Sequence, residues 1–331
     1  GGLDTINING TGVGSSTAVN GGSEADTINV TATAAASFTD IFAGAGSDTI
    51  NISSDAPFNL GTLAGILGDI CVEGEAHDGG TVDLTIKGST NTLETGDLLN
   101  VSDFGDVGSF NYTLSDTTLS RAGAGTITYG TIETLNLATS VGAADVDVSN
   151  TAAAVNTNIT TQDAADTVDV TSTGDDSNLV ITTAGGADVI TIADTGVDGG
   201  DANALGSFTR VDAGDQGDTL TLGGSGADSR VEFNGQAGAD TINVLASGLQ
   251  SVTNINAGTS SDVINLSSDA PANNGNLDAI LGEVCIEGDA HDAGLPMVET
   301  VTAKGNPVTV SIDTGDTLNI SDQASGAANA Y

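Results

Sequence analysis

An all-β chain wound as a parallel β-solenoid (β-helix), with about 22 residues per coil and short helical or loop insertions, is the fold that three features of this sequence predict. A five-residue phrase, Asp-Thr-Ile-Asn-Val at Asp26 to Val30, stands again with small changes at Asp4, Asp48, Asp240 and Asp262, and more loosely at Asp166, Asp188 and Asp218. Its starts fall at 4, 26, 48, then 144 (here Ala144), 166, 188, then 218, 240, 262, so one fixed step separates neighbours inside each block. A fixed short period is the mark of a solenoid. The composition agrees: 46 Gly against 4 Pro, 3% aromatic residues and no Trp suit short strands and tight turns better than packed helices.

Each coil is legible in parts. The residues two and four beyond the anchoring acid are apolar, as in Ile6 and Ile8, Ile28 and Val30, Ile50 and Ile52, Val168 and Val170, Ile190 and Ile192. Alternation places these inside and Thr27 and Asn29 outside. The outward Asn7, Asn29 and Asn51 then form a ladder of stacked amides. Seven residues before the anchor stands a second apolar column, Val19, Ile41, Ile159, Ile181, Val211, Phe233 and Ile255. The intervening Asn20 to Ala25, rich in Gly and small polar residues, reads as a turn joining two strands of one coil.

The rhythm breaks in places. Ser54-Asp55-Ala56-Pro57, followed by Leu63, Ile66 and Leu67 at helical spacing, predicts a short helix over 55–68. Residues 113–143 read as Thr- and Gly-rich strands without an anchor, and the long step from 188 to 218 predicts a surface loop near Thr195 to Leu205. A shift of 214 lays Gly1 to Asp78 on Asp215 to Asp292 without a gap, about half the residues being identical, and Tyr331 falls on Tyr112. The chain therefore divides into half-unit A over 1–112, connecting coils over 113–214, and a repeat of the first half-unit over 215–331. At ~4.8 Å per rung, about 15 coils would make a rod on the order of 70 Å long. Both ends fall in mid-pattern with no capping coil, which predicts open strand edges and end-to-end association.

The anchor and its turn resemble the calcium-binding nonapeptide of RTX (haemolysin-type) proteins, G-G-x-G-x-D-x-U-x, as at Ala43 to Asn51, Gly21 to Asn29 and Gly235 to Asn243. That resemblance implies a β-solenoid with calcium held by Asp4, Asp26, Asp48, Asp166, Asp188, Asp218, Asp240 and Asp262. The period differs from two nonapeptides, several turns lack paired glycines, and Ala144 replaces one Asp. Physical chemistry points to the same acids: carboxylates stacked at ~4.8 Å repel by ~1 kcal/mol in water and ~3–4 at an effective dielectric of 20. Calcium, hydrogen bonds from turn N–H groups, or raised pKa values would each relieve the repulsion.

Forty-five acidic residues against 5 Lys plus Arg give a net charge of −40, which repels nucleic acid and anionic membranes and leaves cations as natural partners. No apolar run is long enough for a membrane helix. The segments Cys71 to Asp78 and Cys285 to Asp292 each combine a thiol, acids and a His; they read either as a transition-metal site or as a small core Cys and a surface His beside acids. The two cysteines lie too far apart along the stack for a disulfide within one chain. No nucleophile–base constellation or phosphate loop is recognisable. Of the few cations, Arg210 and Arg230 fall about one coil apart and read as counter-charges. The expected function is structural rather than enzymatic: an extracellular or cell-surface protein that self-assembles head to tail into a fibre or surface layer, stabilised by calcium, with the cell surface or a polysaccharide as further partners. The alternatives are a carbohydrate-active, lyase-like β-helix protein and a calcium-dependent adhesin or ice-binding stalk module.

Overall fold

A computed structural model describes residues 1–197, 206–288, 297–303, 306–312 and 315–323. Strands β1 (Thr5–Ile8), β3 (Thr27–Val30) and β5 (Thr49–Ile52) alternate along the chain with β2 (Ser16–Ser23), β4 (Phe38–Ala45) and β6 (Asp69–Ala76). A hairpin, β7 (Thr81–Ile86) and β8 (Ser89–Glu94), leads to β9 (Leu98–Ser102). A meander of β10 (Phe110–Leu114), β11 (Thr118–Arg121) and β12 (Ile127–Gly130) precedes β13 (Thr134–Ala138). The alternation then resumes. Strands β14 (Ala144–Val148), β16 (Thr167–Val170), β18 (Val189–Ile192), β20 (Thr219–Leu222), β22 (Thr241–Val244) and β24 (Val263–Leu266) interleave with β15 (Asn156–Thr160), β17 (Asn178–Thr182), β19 (Phe208–Asp212), β21 (Arg230–Asn234), β23 (Val252–Asn256) and β25 (Glu283–Glu287). A second hairpin, β26 (Met297–Ala303) and β27 (Asn306–Ile312), and β28 (Thr317–Ile320) complete the described strands.

These strands build two long sheets. The first has 11 strands, ordered β1-β3-β5-β9-β13-β15-β17-β19-β21-β23-β25; the second has 13, ordered β2-β4-β6-β12-β11-β10-β14-β16-β18-β20-β22-β24-β28. Every pairing in them is parallel except within the meander β10–β11–β12. Because the chain passes from one sheet to the other at each step, neighbours within a sheet are one coil apart, with Thr5 opposite Thr27 and Ile6 opposite Ile28. Two parallel sheets wound in this way are consistent with a β-solenoid. Between them lies one continuous core, in which Ile28, Val30, Ile50, Ile52, Ile190, Ile192, Ile242 and Val244 are fully buried together with Ile41, Ile181, Val211 and Phe233.

The two kinds of strand exchange sheets halfway. Up to β9 the phrase-bearing strands lie in the first sheet and the preceding strands β2, β4 and β6 in the second; from β14 onward the assignment is reversed. The meander makes this possible by filling three rungs of the second sheet with antiparallel strands. At the changeover the phrase-type β13 stacks on β15, placing Leu137 against Ile159. Either strand type can continue the other because both offer alternate apolar residues to the core. The meander carries a buried ion pair: Arg121 Nε donates to Asp103 at 2.9 Å and Nη2 to Asp106 at 2.6 Å, while the guanidinium stacks 3.4 Å over the Phe110 ring.

The first hairpin lies over the outer face of the first sheet. Leu84 and Ile86 pack with Phe208 and Val180, Asn91 Nδ2 donates to Asn178 Oδ1, and Lys87 pairs with Glu287. Arg210 and Arg230, on adjacent strands, are counter-charges only in part. Arg210 pairs with Glu232 and also donates to the Thr85 carbonyl, while Arg230 donates to Ser89 Oγ, so both tie the hairpin down.

No helix forms over 55–68. The segment is a succession of turns because side chains capture its backbone donors: Asp55 accepts the Leu60 N–H at 3.1 Å, Ser54 Oγ the Thr62 N–H at 2.8 Å, and Asp103 the Leu63 N–H at 2.7 Å. Asp and Ser offer the backbone such alternatives to helical bonding, and Pro57, Gly61 and Gly65 disfavour the helix further. Leu63 and Ile66 still reach the core. Of the loop expected near Thr195 to Leu205, residues 198–205 lie outside the described residues, and the described Thr195 is buried. Truncating Ile190, at the centre of the stack, to Ala removes a fully buried side chain; chemical denaturation is expected to register a loss of about 2–5 kcal/mol.

Candidate functional site

Each anchoring acid sits where a turn enters a strand, and its carboxylate bonds the coil before it. The N–H of Asp4 donates to Asp26 Oδ1 at 2.7 Å, that of Asp26 to Asp48 at 2.6 Å, that of Asp48 to Asp97 at 2.8 Å, and that of Asp97 to Glu133 Oε2 at 2.5 Å. A second column serves the strands of the other sheet. It runs from the Ala144 N–H to Asp166 (2.7 Å), then to Asp188 (2.7 Å), Asp218 (2.8 Å), Asp240 (2.8 Å), Asp262 (2.8 Å) and Asp316 (3.1 Å), each N–H donating to the next Oδ1. The eight acids singled out in the sequence thus fall into two columns, Asp4, Asp26 and Asp48 in one and Asp166, Asp188, Asp218, Asp240 and Asp262 in the other.

Three further members complete them. Asp97 and Asp316 begin the phrases Asp-Leu-Leu-Asn-Val and Asp-Thr-Leu-Asn-Ile, a signal present in the sequence but displaced from the regular beat by the hairpins. Glu133 occupies the same place with a longer acid, before Thr-Leu-Asn-Leu. All the interior carboxylates are sequestered from water, Asp26 being 2% exposed and Asp262 fully buried. Their second oxygens have no hydrogen-bond partner: Oδ2 of Asp26, Asp48, Asp97, Asp166, Asp188, Asp218, Asp240 and Asp262 is buried and unpaired.

The turn glycines are explained by these oxygens. A Cβ on Gly235 would lie 2.1 Å from the Ala257 carbonyl oxygen and 2.4 Å from Asp240 Oδ2; one on Gly21 would meet the Ala43 carbonyl at 2.1 Å and Asp26 Oδ2 at 2.9 Å. Only hydrogen fits between carboxylate and carbonyl there. Burial pushes seven of the column carboxyls up despite the N–H each accepts, and for all of these but Asp166 a neighbouring acid adds to the shift. Asp97, Asp188 and Asp262 rise to about 6, Asp218 and Asp240 to about 7, and Asp48 and Asp166 are raised as well. An unpaired oxygen on an acid with such a pKa is a place for a proton.

Amide ladders run beside the acids. Asn29 donates to Asn7 at 2.8 Å, Asn51 to Asn29 at 3.0 Å, Asn100 to Asn51 at 2.9 Å, Asn136 to Asn100 at 2.8 Å and Asn158 to Asn136 at 2.8 Å. Asn29 and Asn51 are buried rather than solvent-facing, and Asn59, on the looped segment, adds a further amide to Asn51.

The Cys–His segment is only partly described. Cys71 is half-buried beside Asp40 and Glu73, its thiol pKa pushed up by burial and by those acids; the core positions belong to its neighbours Ile70 and Val72, so Cys71 is not a core residue. Cys285 donates to Glu283, and both cysteines are free. His77 Nε2 lies 3.2 Å from Glu94 and 3.4 Å from Glu133. Burial alone would lower its pKa, but the Asp78 carbonyl and the Glu133 and Glu94 carboxylates raise it overall. Asp289 to Asp292, including His291, lie outside the described residues, as does Tyr331. Among the described residues no three His, Cys, Asp or Glu side chains converge as a metal-binding group, and no helix is long and apolar enough to cross a membrane.

Comparison with protein-family models, curated proteins and solved structures finds no match to this chain.

Two outcomes follow from the columns. A carboxyl whose pKa is raised on folding stabilises the fold at low pH, and that contribution fades as pH rises through the folded value. Without divalent cations, thermal melts are therefore expected to give a Tm higher by at least a few °C at pH 5 than at pH 8, the fall setting in above the ordinary carboxyl value of 3.8 and levelling off above about 7. Asp240→Asn, which keeps the Oδ1 acceptor and cannot ionise, should flatten this dependence. Gly235→Ala should lower Tm at both pH values, because the added methyl cannot coexist with the Ala257 carbonyl and Asp240 Oδ2 in their present places.

Proposed function

We propose that this chain is a structural protein of an extracellular fibre or surface layer. On this reading it forms a closed β-solenoid of about 22 residues per coil, performs mechanical rather than catalytic work, and joins other copies of itself head to tail. The observation that carries the reading is the direction of the bonding. Backbone ladders, acid columns and asparagine ladders all run from coil to coil along one axis. Load along that axis is shared among many parallel hydrogen bonds, as in other stacked parallel strands.

Calcium belongs to this proposal as a second means of neutralising the columns. The unpaired Oδ2 atoms favour a cation, and calcium accepts carboxylate and backbone carbonyl oxygens together. At a pH above the raised carboxyl values, the ion would do what a proton does below them. The charge of −40 fits a secreted or cell-surface setting rich in cations, with the cell surface or a polysaccharide as a further partner.

Electron microscopy of the purified protein at pH 5 and pH 8, with calcium or with EDTA, tests the reading. Filaments or sheets are expected at pH 5 in either medium, and at pH 8 with calcium. Filaments unaffected by EDTA at pH 8 would remove calcium and leave the scaffold. A monomer under every condition that cleaves or binds uronate polymers would replace the scaffold with a carbohydrate-active protein.

A further inference from the structure

Between the first hairpin and the sheet beneath it lies a cleft of about 360 Å³, within the usual size range of small-molecule sites. Its apolar walls come from both sides: Val82 and Leu84 from β7, Leu98 from β9 and Val180 from β17. Asp83 is the single charged residue of the lining; it is exposed, and the Thr92 hydroxyl donates to its Oδ1 at 2.6 Å.

The sheet lays asparagines across the floor, and neighbours take up most of their bonding capacity. Asn136 donates to Asn100 and accepts from Asn158, while Asn178 donates to Asn156 and accepts from Asn91. The exception stands where the long amide ladder stops. β17 sets Val180 opposite Asn158, so no amide follows, and Asn158 Oδ1 accepts no hydrogen bond among the described residues. Asn158 is the last of six amides that each donate to the one before, back to Asn7. A chain of this kind polarises its members, which strengthens the terminal carbonyl as an acceptor. The hydroxyls of Thr95 and Thr134 also line the cleft and have no hydrogen-bond partner among the described residues. Thr134 stands in register between Leu98 and Asn156, so polar and apolar places alternate across the floor.

The lining thus offers one strong neutral acceptor, two hydroxyls that donate or accept, and aliphatic surface beside them. An anion is disfavoured, because the lining holds no cation and both Asp83 and the net charge of −40 repel it. A small metal cation would leave the aliphatic walls unused. A sugar ring carries hydroxyls along its edge and C–H groups on its faces, which are the two kinds of surface this lining satisfies.

We propose that the cleft binds a neutral saccharide, with ring hydroxyls bonded to Asn158 Oδ1, Thr134 and Thr95 and a ring face packed on Leu98 and Val180. This gives the polysaccharide partner of the surface reading a site and a charge class. It rests on that reading only for the source of the sugar; the cleft lies within one chain, so binding needs no filament.

Isothermal titration of the full chain at pH 8 with EDTA tests the proposal. Cellobiose, maltose, mannobiose and N,N′-diacetylchitobiose serve as neutral probes and digalacturonate as the anionic one, each taken to millimolar concentration. At least one neutral disaccharide is expected to bind, and digalacturonate is not. For the sugar that binds, Thr134→Val exchanges a hydroxyl for a methyl of similar shape and should raise Kd roughly 5- to 10-fold with Tm unchanged. Thr134→Phe, which fills the cleft, should abolish binding. Failure of all the neutral probes, equal affinity for digalacturonate, or a Kd indifferent to Thr134→Val would overturn the saccharide site and leave the fibre reading to microscopy. Sugar binding by a chain that forms no filaments under any condition would keep the site and remove the fibre.

Discussion

The bond from each anchor's N–H to the carboxylate of the following coil is the constraint on which the rest of this structure depends. It fixes register at the point where a turn becomes a strand, so that the alternation of Ile28 and Val30 faces inward on every rung. A one-residue slip would turn these columns outward. The same bond draws the carboxylate into the corner of the coil, where at Gly21 and Gly235 the carbonyl of the next coil also comes too close for a side chain, although the equivalent position before Asp48, Asp218 and Asp262 carries Ala43, Ala213 and Ala257. Burial in that corner displaces the ionisation of Asp218 and Asp240, against the accepted N–H, which favours the charged form.

Spacing along the chain is secondary to this bond. Successive acids are 22 residues apart where the coil is plain, yet 49 apart between Asp48 and Asp97, 30 between Asp188 and Asp218 and 54 between Asp262 and Asp316. Insertions are accommodated because the chain returns to the same corner, and lengthening a surface loop carries only a slowly rising entropic cost. What an insertion does in between is free to vary. One becomes a hairpin laid over the first sheet, and the meander carries a buried Arg121–Asp103 pair. Taking one partner of such a pair away is far more damaging than never having had it.

Reading the sequence worked where a property is periodic and local. The all-β class, the inward Ile and Val columns, the asparagine ladder and the eight regularly spaced acids depend on alternation and on a constant step, and each is visible residue by residue. Asp97 and Asp316 begin the same phrase but were hidden by irregular spacing, and Glu133 by a change of acid. Leu63 and Ile66 have helical spacing and do reach the core, but periodicity is blind to the competition that Ser54, Asp55 and Asp103 win for the backbone donors. Burial of Asn29 and Asn51 depends on neighbouring elements rather than on strand alternation. The exchange of sheets leaves no local trace, because phrase strands and their preceding strands present the same alternation to the core.

The acid columns have a direction. Every link runs from an amide toward the carboxylate of the coil that follows, in both columns and without reversal. A stack of this kind is a vector: one face of any break in it offers acceptors and the other offers donors. Two like faces would set carboxylate against carboxylate or amide against amide. An assembly that continued both columns would therefore be polar, with unlike ends that need not grow at the same rate, and a tail-to-tail contact would interrupt the columns at its centre.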